Sequence, residues 1–286
     1  MSAPLQNLIP AVRDDFLNTY TPPFRVAGDV YFVGTVPASS HLIDTGDGLI
    51  LLDAGYAETL FLVLDGMEKL GFDPKNIRYL LLTHGHIDHF GAARALRELT
   101  GCQILIGKED ADYVTGKRNL SYAEELDIPL ESVAFFQPDG LLSGGDELTL
   151  GYTCIRCVHT PGHTEGTKSF FFDTVHGGRT LRVGTHGGVG LNTLAADFLN
   201  KYGLPLSLRQ TFRDGLQALK AEPVDVFIGN HFYQCDGPAR ARRILRGDAD
   251  AFIDPAAWPA YLDRRTRLLD EMLADEAARQ RKGESE

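Results

Sequence analysis

Nine residues, Thr83-His84-Gly85-His86-Ile87-Asp88-His89-Phe90-Gly91, constrain this chain more than any other stretch. A near-continuous apolar run over residues 77–83, with Tyr79, Leu80, Leu81 and Leu82, reads as a buried strand leading into them. Residues 92–99 behind them have the composition of a helix. Three imidazoles and a carboxylate therefore fall in one tight strand-to-helix turn. Imidazole nitrogen and carboxylate oxygen are ligands of first choice for zinc and also suit iron and manganese. Neighbouring side chains in so short a turn diverge, so one turn can serve two adjacent metals. A lone core histidine is ordinarily just hydrogen-bonded; three with an aspartate at such a turn indicate a metal site.

The rest of the chain supplies partners for that turn. His159-Thr160-Pro161-Gly162-His163-Thr164-Glu165-Gly166 also follows a strand, and its Pro-Gly pair forces a turn that projects His163. His231 stands at the exit of a last strand, residues 224–229. Before the first turn, strands are expected over 30–34, 41–44 and 49–53, then a helix over 57–70 closed by Gly71. A strand at 103–106 follows the turn. Residues 108–137 are irregular, with an exposed-looking Val133-Ala134-Phe135-Phe136, and read as a flap or pocket wall. Strands return over 147–150, 152–158, 167–175 and 180–184, followed by helices over 192–201 and 206–221. The C-terminal end is helical over 239–282, with a long helix from about 257 placed on the body or on a second subunit, a route to an oligomer. Two halves that each begin in strands and end in helices suggest an α/β fold, an αββα sandwich. Residues 1–23 read as a proline-punctuated arm, and 24–286 as one domain.

Charge and composition exclude several classes. The formal net charge is -11 with no basic cluster, so nucleic acid is not expected as a partner. No apolar run reaches the roughly 18 residues of a membrane span, and no signal peptide is visible. The expectation is a cytoplasmic protein acting on a small molecule. Four cysteines are too few for a disulfide scaffold. Cys154 and Cys157 spell C-x-x-C, but on a strand residues three apart point to opposite faces, so they are read as structural.

The ordered motifs T-H-G-H-I-D-H-F-G and H-T-P-G-H-T-E-G, followed by a late strand-end histidine, resemble the metallo-β-lactamase superfamily. The resemblance runs from about Phe24 to His231 and includes L-L-D-A-G at residues 51–55. It implies an αββα sandwich with one or two metals at the sheet edge. One zinc would be held by His84, His86 and His163, and a second by Asp88, His89 and His231. Lactonases, glyoxalase II-like thioesterases and many nucleases of that superfamily carry a metal-bridging aspartate, in a Gly-Asp pair ending the strand after the third histidine of the first site. Here Gly184 is followed by Thr185, and no cysteine follows until Cys235. The pattern is most similar to class B, subclass 3 β-lactamases. That resemblance implies a di-zinc hydrolase opening a cyclic amide, with Asp88 binding the second metal and orienting the attacking hydroxide. That subclass is typically exported, whereas no export signal is visible here; a hydrolase of lactones, thioesters or amides in metabolism and a mono-iron persulfide dioxygenase-like enzyme stay open. In place of the subclass's serine-containing loop stands Thr185-His186-Gly187-Gly188-Val189-Gly190-Leu191-Asn192, which makes His186 and Asn192 candidate substrate contacts. Glu165 is either solvated or orients a ligand histidine, Asn230 caps a strand end, and His41, His159 and His176 are structural.

Overall fold

A computed structural model describes residues 20–188 and 190–283. The first of two facing sheets has seven strands in sequence order: β1 (Phe24–Ala27), β2 (Val30–Phe32), β3 (His41–Asp44), β4 (Leu49–Leu52), β5 (Ile77–Leu81), β6 (Gln103–Gly107) and β7 (Gly140–Leu142). Strands β1 to β4 form an antiparallel meander, and β4 to β7 run parallel. The second sheet contains β8 (Glu147–Leu150), β9 (Thr153–His159), β10 (Lys168–His176), β11 (Arg179–Thr185) and β12 (Val226–Phe227). Its order is β12-β11-β10-β9-β8, antiparallel except for the β11–β12 pair.

The pleat sorts the apolar residues into layers. Successive side chains of a strand face opposite ways, so Ile50 and Leu52 of β4 join the core that holds Ile155, Phe170 and Phe172 of the opposing sheet. Leu49 and Leu51 of the same strand join a separate core with Val63 and Met67 of helix α1 (Leu60–Lys69) and Leu96 of helix α2 (Ala93–Thr100). On the far side, Phe171 turns outward and meets the ring of Trp258 edge-on at 5.8 Å. Helices α3 (Ala196–Lys201), α4 (Leu208–Leu219) and α5 (Ala257–Gly283) follow the second sheet, and α4 and α5 pack on each other. The layers are α, β, β, α, with the expected long C-terminal helix. Gly71, at φ 84°, ends α1 in the left-handed backbone that glycine adopts without strain. No helix among the described residues is long and apolar enough to cross a membrane.

Several expectations need correction. The expected arm over 1–23 lies mostly outside the described residues. Strand β1 begins directly after Pro23, earlier than the pattern suggested, and β7 lies in a stretch to which no strand was assigned. Val133 and Phe136 are not exposed: they are buried in the outer core, where Phe136 meets the ring of Phe90 at 6.0 Å. Cys154 is exposed and Cys157 buried, as opposite strand faces require.

Strands β4, β5, β9 and β12 all deliver their carboxyl ends to one edge of the sandwich, the usual place for a site on such sheets. Hydrogen bonds stitch the two sheets together there, from Lys168 N to Thr83 O (2.8 Å) and from Ser39 N to Asn230 O (2.8 Å).

Candidate metal centre

Strand β5 ends at Leu81, and the backbone then turns through Thr83–Gly85 into a one-turn helix, Ile87–Phe90. His86 is its N-cap residue, and its carbonyl accepts from His89 N (2.9 Å) and Phe90 N (3.1 Å). That single turn swings His86 one way and Asp88 and His89 another. Gly85 permits the crowding: a Cβ there would lie 2.8 Å from the Cβ of Tyr113. Across the edge, the Pro161-Gly162 turn presents His163, and a Cβ on Gly162 would strike Phe212 at 2.5 Å.

The structure brings all six expected ligands together. Nε2 of His84 lies 3.1 Å from Nδ1 of His86, and the His163 ring sits 4.7 Å from that of His84 and 4.5 Å from that of His86. Nε2 of His89 lies 3.2 Å from Asp88 Oδ2 and 3.4 Å from Nε2 of His231, which is itself 3.7 Å from Asp88 Oδ2. His84, His86 and His163 thus offer three nitrogens within 4.8 Å of one another, and His84 also falls within that range of Asp88 and His89. Two donor groups therefore adjoin through His84.

Partners behind the rings fix which nitrogen faces the cluster. Thr83 Oγ1 lies 3.0 Å from His84 Nδ1 and donates to Asp53 Oδ2 (2.8 Å). The same Asp53 oxygen receives His89 Nδ1 (2.8 Å), the carbonyl of Gly190 receives His163 Nδ1 (2.8 Å), and Pro37 O receives His231 Nδ1. With Nδ1 engaged in this way, Nε2 of four histidines points inward, the usual arrangement behind metal-bound imidazole. Burial, reinforced by the fields of neighbouring histidines, holds His84 and His86 well below the ordinary imidazole range, and burial lowers His163 to about 4. Their lone pairs are free at neutral pH. Burial acts against ionisation of Asp88, but the fields of His89, His231 and His86 outweigh it and hold its carboxyl below the usual range. His89 is buried too, yet Asp88 and Asp53 push it up to about 10. Converging neutral imidazoles beside carboxylates that demand positive charge fit a metal cation, and the nitrogen–oxygen set suits zinc, iron or manganese.

A buried aspartate that sequence reasoning did not single out holds the two histidine turns together. Asp110 Oδ2 accepts from Gly85 N (2.9 Å) and Thr164 Oγ1 (2.6 Å), and Oδ1 accepts from Gly166 N (2.6 Å). Asp53 was visible only as part of a motif; its backbone sits at φ 56°, a strained conformation for a residue with a Cβ. Tyr122 was also missed. Its ring stands 5.1 Å from that of His86, and its hydroxyl accepts a hydrogen bond from Asn192 Nδ2.

The two candidate substrate contacts separate. Asn192 is exposed at the rim, where a substrate contact is feasible. His186 is not at the surface of the cleft: it is buried, its ring lies 5.9 Å from Phe212, and its Nδ1 lies 3.3 Å from Tyr261 Oη. Burial lowers it to about 3, so it stays neutral. Glu165 neither orients a ligand histidine nor stands free in solvent; its carboxylate binds Arg118 (2.6 Å) and Tyr113 Oη (2.8 Å). Asn230 does more than cap a strand, since it ties the loop after β12 to Gly187. His159 and His176 make structural hydrogen bonds to Glu165 O and Asp250, and His41 is buried against Phe32. Thr185, at the position a bridging aspartate would occupy, is buried at the end of β11.

Comparison with known proteins agrees with this geometry. The chain is 31% identical over 148 residues to the hydroxyacylglutathione hydrolase GloC of Haemophilus influenzae, covering 51% of this chain and 66% of that one. A probable metallo-hydrolase of Burkholderia pseudomallei is 35% identical over 106 residues, covering 37% of this chain and 35% of that one. The chain thus spans between a third and two thirds of these curated relatives. Among solved structures, BJP-1, a subclass B3 metallo-beta-lactamase of Bradyrhizobium japonicum, is 26% identical with a TM-score of 0.81, covering 92% of this chain and 97% of that one. The metallo-beta-lactamase superfamily model matches residues 33–229, a span that contains every donor described above except His231. With the sandwich, the histidine-rich edge and this match in agreement, the chain belongs to the metallo-beta-lactamase superfamily.

Proposed function

We propose that this protein is a di-zinc hydrolase that opens a cyclic amide in the manner of a β-lactamase. The observation that carries the reading is the pair of adjoining donor groups, His84/His86/His163 and Asp88/His89/His231, at an edge where Thr185 stands in place of a bridging carboxylate. Likeness to BJP-1 over nearly its whole length supports it. When bound in these groups, zinc supplies Lewis acidity and acidifies water, so that a nucleophile is available at neutral pH.

The chain's own residues do the rest. Asp88, held ionised, accepts a hydrogen bond from the attacking water and orients it toward the carbonyl carbon. Asp53 and Thr83 fix the rings of His84 and His89, so the donors need no reorganisation when substrate arrives. Tyr56 stays protonated, because burial and the field of the Asp88 carboxylate push its phenol far up.

A second reading, a hydrolase of a lactone or thioester in metabolism, draws on the similarity to GloC. Turnover of nitrocefin and a carbapenem, measured with and without chelator, separates the two. Chelator-sensitive hydrolysis supports the cyclic-amide reading. Failure on both, with chelator-sensitive cleavage of lactones or thioesters, would replace it by the second.

A further inference from the structure

We propose that Arg209 and Glu276 are positioning residues for one donor group only: from helices α4 and α5 they strap down the loop that holds His163. That role rests on the two-group reading of the metal centre and not on the reaction assigned to it.

The loop after β11 grips the His163 ring. Gly190 O accepts from His163 Nδ1 (2.8 Å), and Thr193 Oγ1 lies 3.1 Å from the same nitrogen. A Cβ on Gly188 would lie 2.8 Å from His163 Cβ, and one on Gly190 would lie 2.7 Å from Cε1. Backbone pressed this closely on both sides of the ring leaves no room for side chains, and the ring goes where the loop goes.

Both ends of the loop are pinned to the same pair of helices. At its start, the buried His186 ring lies 5.9 Å from Phe212 of α4, and its Nδ1 lies 3.3 Å from Tyr261 Oη of α5. At its end, Arg209 of α4 forks, with Nε donating to Leu194 O (2.8 Å) and Nη2 to Glu276 Oε2 of α5 (2.6 Å). The other oxygen of Glu276 accepts Ala196 N (2.9 Å). Leu194 N in turn donates to Leu191 O (2.9 Å), closing the short turn Asn192–Leu194 that carries Thr193. A continuous set of hydrogen bonds thus runs from the C-terminal helix to one metal ligand. The Arg209 and Glu276 side chains are only 16% and 19% exposed, so water competes little for these charge-assisted bonds. The second group is backed differently: His89 Nδ1 meets Asp53 and His231 Nδ1 meets Pro37 O, both on loops of the first sheet.

Packing of the two helices does not depend on the fork. Leu216 and Leu219 of α4 share an apolar core with Leu262 and Leu269 of α5. Arg213–Asp270 (2.5 Å) and Lys220–Asp263 (2.5 Å) pair the helices with each other rather than with the loop.

The test isolates each donor group by removing a ligand from the other. His231→Ala leaves the first group and His163→Ala the second, and zinc affinity is read by chelator competition. Arg209→Lys keeps the charge but cannot reproduce the fork. In the His231→Ala background, Arg209→Lys and Glu276→Gln are each expected to weaken zinc binding about three- to tenfold. In the His163→Ala background neither should change it, and Arg213→Lys should change neither group. A second readout needs no metal. In the metal-free, otherwise unaltered protein, proton NMR detects the His163 Nδ1–H while its bond to Gly190 O shields it from exchange. Arg209→Lys and Glu276→Gln should lose that signal, and Arg213→Lys should keep it. Unchanged zinc affinity in the first group, equal losses in both groups, the same losses in Arg213→Lys, or an unchanged His163 signal would overturn the strap. Failure of both backgrounds to hold zinc, with the His163 signal lost as expected, would overturn the two-group reading and leave the strap standing.

Discussion

Asp110→Asn should weaken metal binding while leaving a folded protein. The carboxylate receives an N–H on each oxygen, Gly166 N on Oδ1 and Gly85 N on Oδ2, with Thr164 Oγ1 as a third donor. Asparagine keeps one acceptor oxygen and places an NH2 against an N–H donor at the other position. The substitution is isosteric but electrostatically wrong. One buried N–H is left without an acceptor, at about 1–3 kcal/mol, and the Thr164 bond weakens by about 1 kcal/mol. Against this, burial has pushed the Asp110 carboxyl up from 3.8 to about 6, so its ionisation at neutral pH already costs about 3 kcal/mol, which the amide does not incur. The two terms nearly cancel, and urea unfolding should show a net loss within about 2 kcal/mol. Geometry does not cancel. Gly85 separates His84 from His86, and Thr164 and Gly166 flank the turn that presents His163. Loss of an outer partner that positions metal ligands typically reduces affinity about 10–100-fold. Competition with a fluorescent zinc chelator reads this directly, with Asp110→Ala expected to behave like Asn. Wild-type zinc affinity in Asp110→Asn would refute the reasoning.

Other consequences follow from the same contacts. His41 is fully buried and lowered by burial to about 3. Its folded pKa lies below its unfolded value of 6.5, so its contribution is present above pH 6.5 and lost as pH falls toward 3. Each pH unit in that window costs about 1.4 kcal/mol, and His41→Phe should flatten the acid limb of a stability–pH curve measured by thermal unfolding. Gly85→Ala places a Cβ 2.8 Å from the Cβ of Tyr113 and 3.2 Å from that of Asp110, which should cost about 1–3 kcal/mol and reduce zinc affinity; unchanged zinc titration would count against the packing argument. Glu165→Gln breaks a part-exposed ion pair with Arg118 and should change stability by less than about 1 kcal/mol, with zinc affinity unaltered. A large loss of zinc in that variant would return Glu165 to the role of orienting a ligand histidine.

What the sequence revealed divides along physical lines. The cluster of donor side chains in residues 84–89 is legible because its spacing is local, and the approach of His163 and His231 because each follows a strand that the apolar pattern marks. The αββα layering followed from the order of strands and helices, since buried strands require helices over both outer faces. Asp110 carried no signal: an aspartate in a polar, irregular stretch looks solvated until Gly85 and Gly166 are known to approach it. Tyr122 was hidden for the same reason, its importance depending on a ring contact with His86 and a bond to residue 192. Strand β1 escaped because four residues containing Arg25 and following Pro22-Pro23 give no clear alternation, and β7 because Gly140 opens a strand of only three residues. His186 was placed at the correct edge of the sandwich, but its loop turns the ring back onto Phe212 and Tyr261, a packing choice that no local pattern encodes.

Metal stoichiometry distinguishes a site that holds two metals from one that holds a single ion. Elemental analysis of the purified protein should give close to two zinc ions per chain. His163→Ala and His231→Ala, which remove donors from different groups, should each retain about one, because one complete donor set survives in each case. A single iron per chain, or loss of all metal from both variants together, would rule out two separate donor sets.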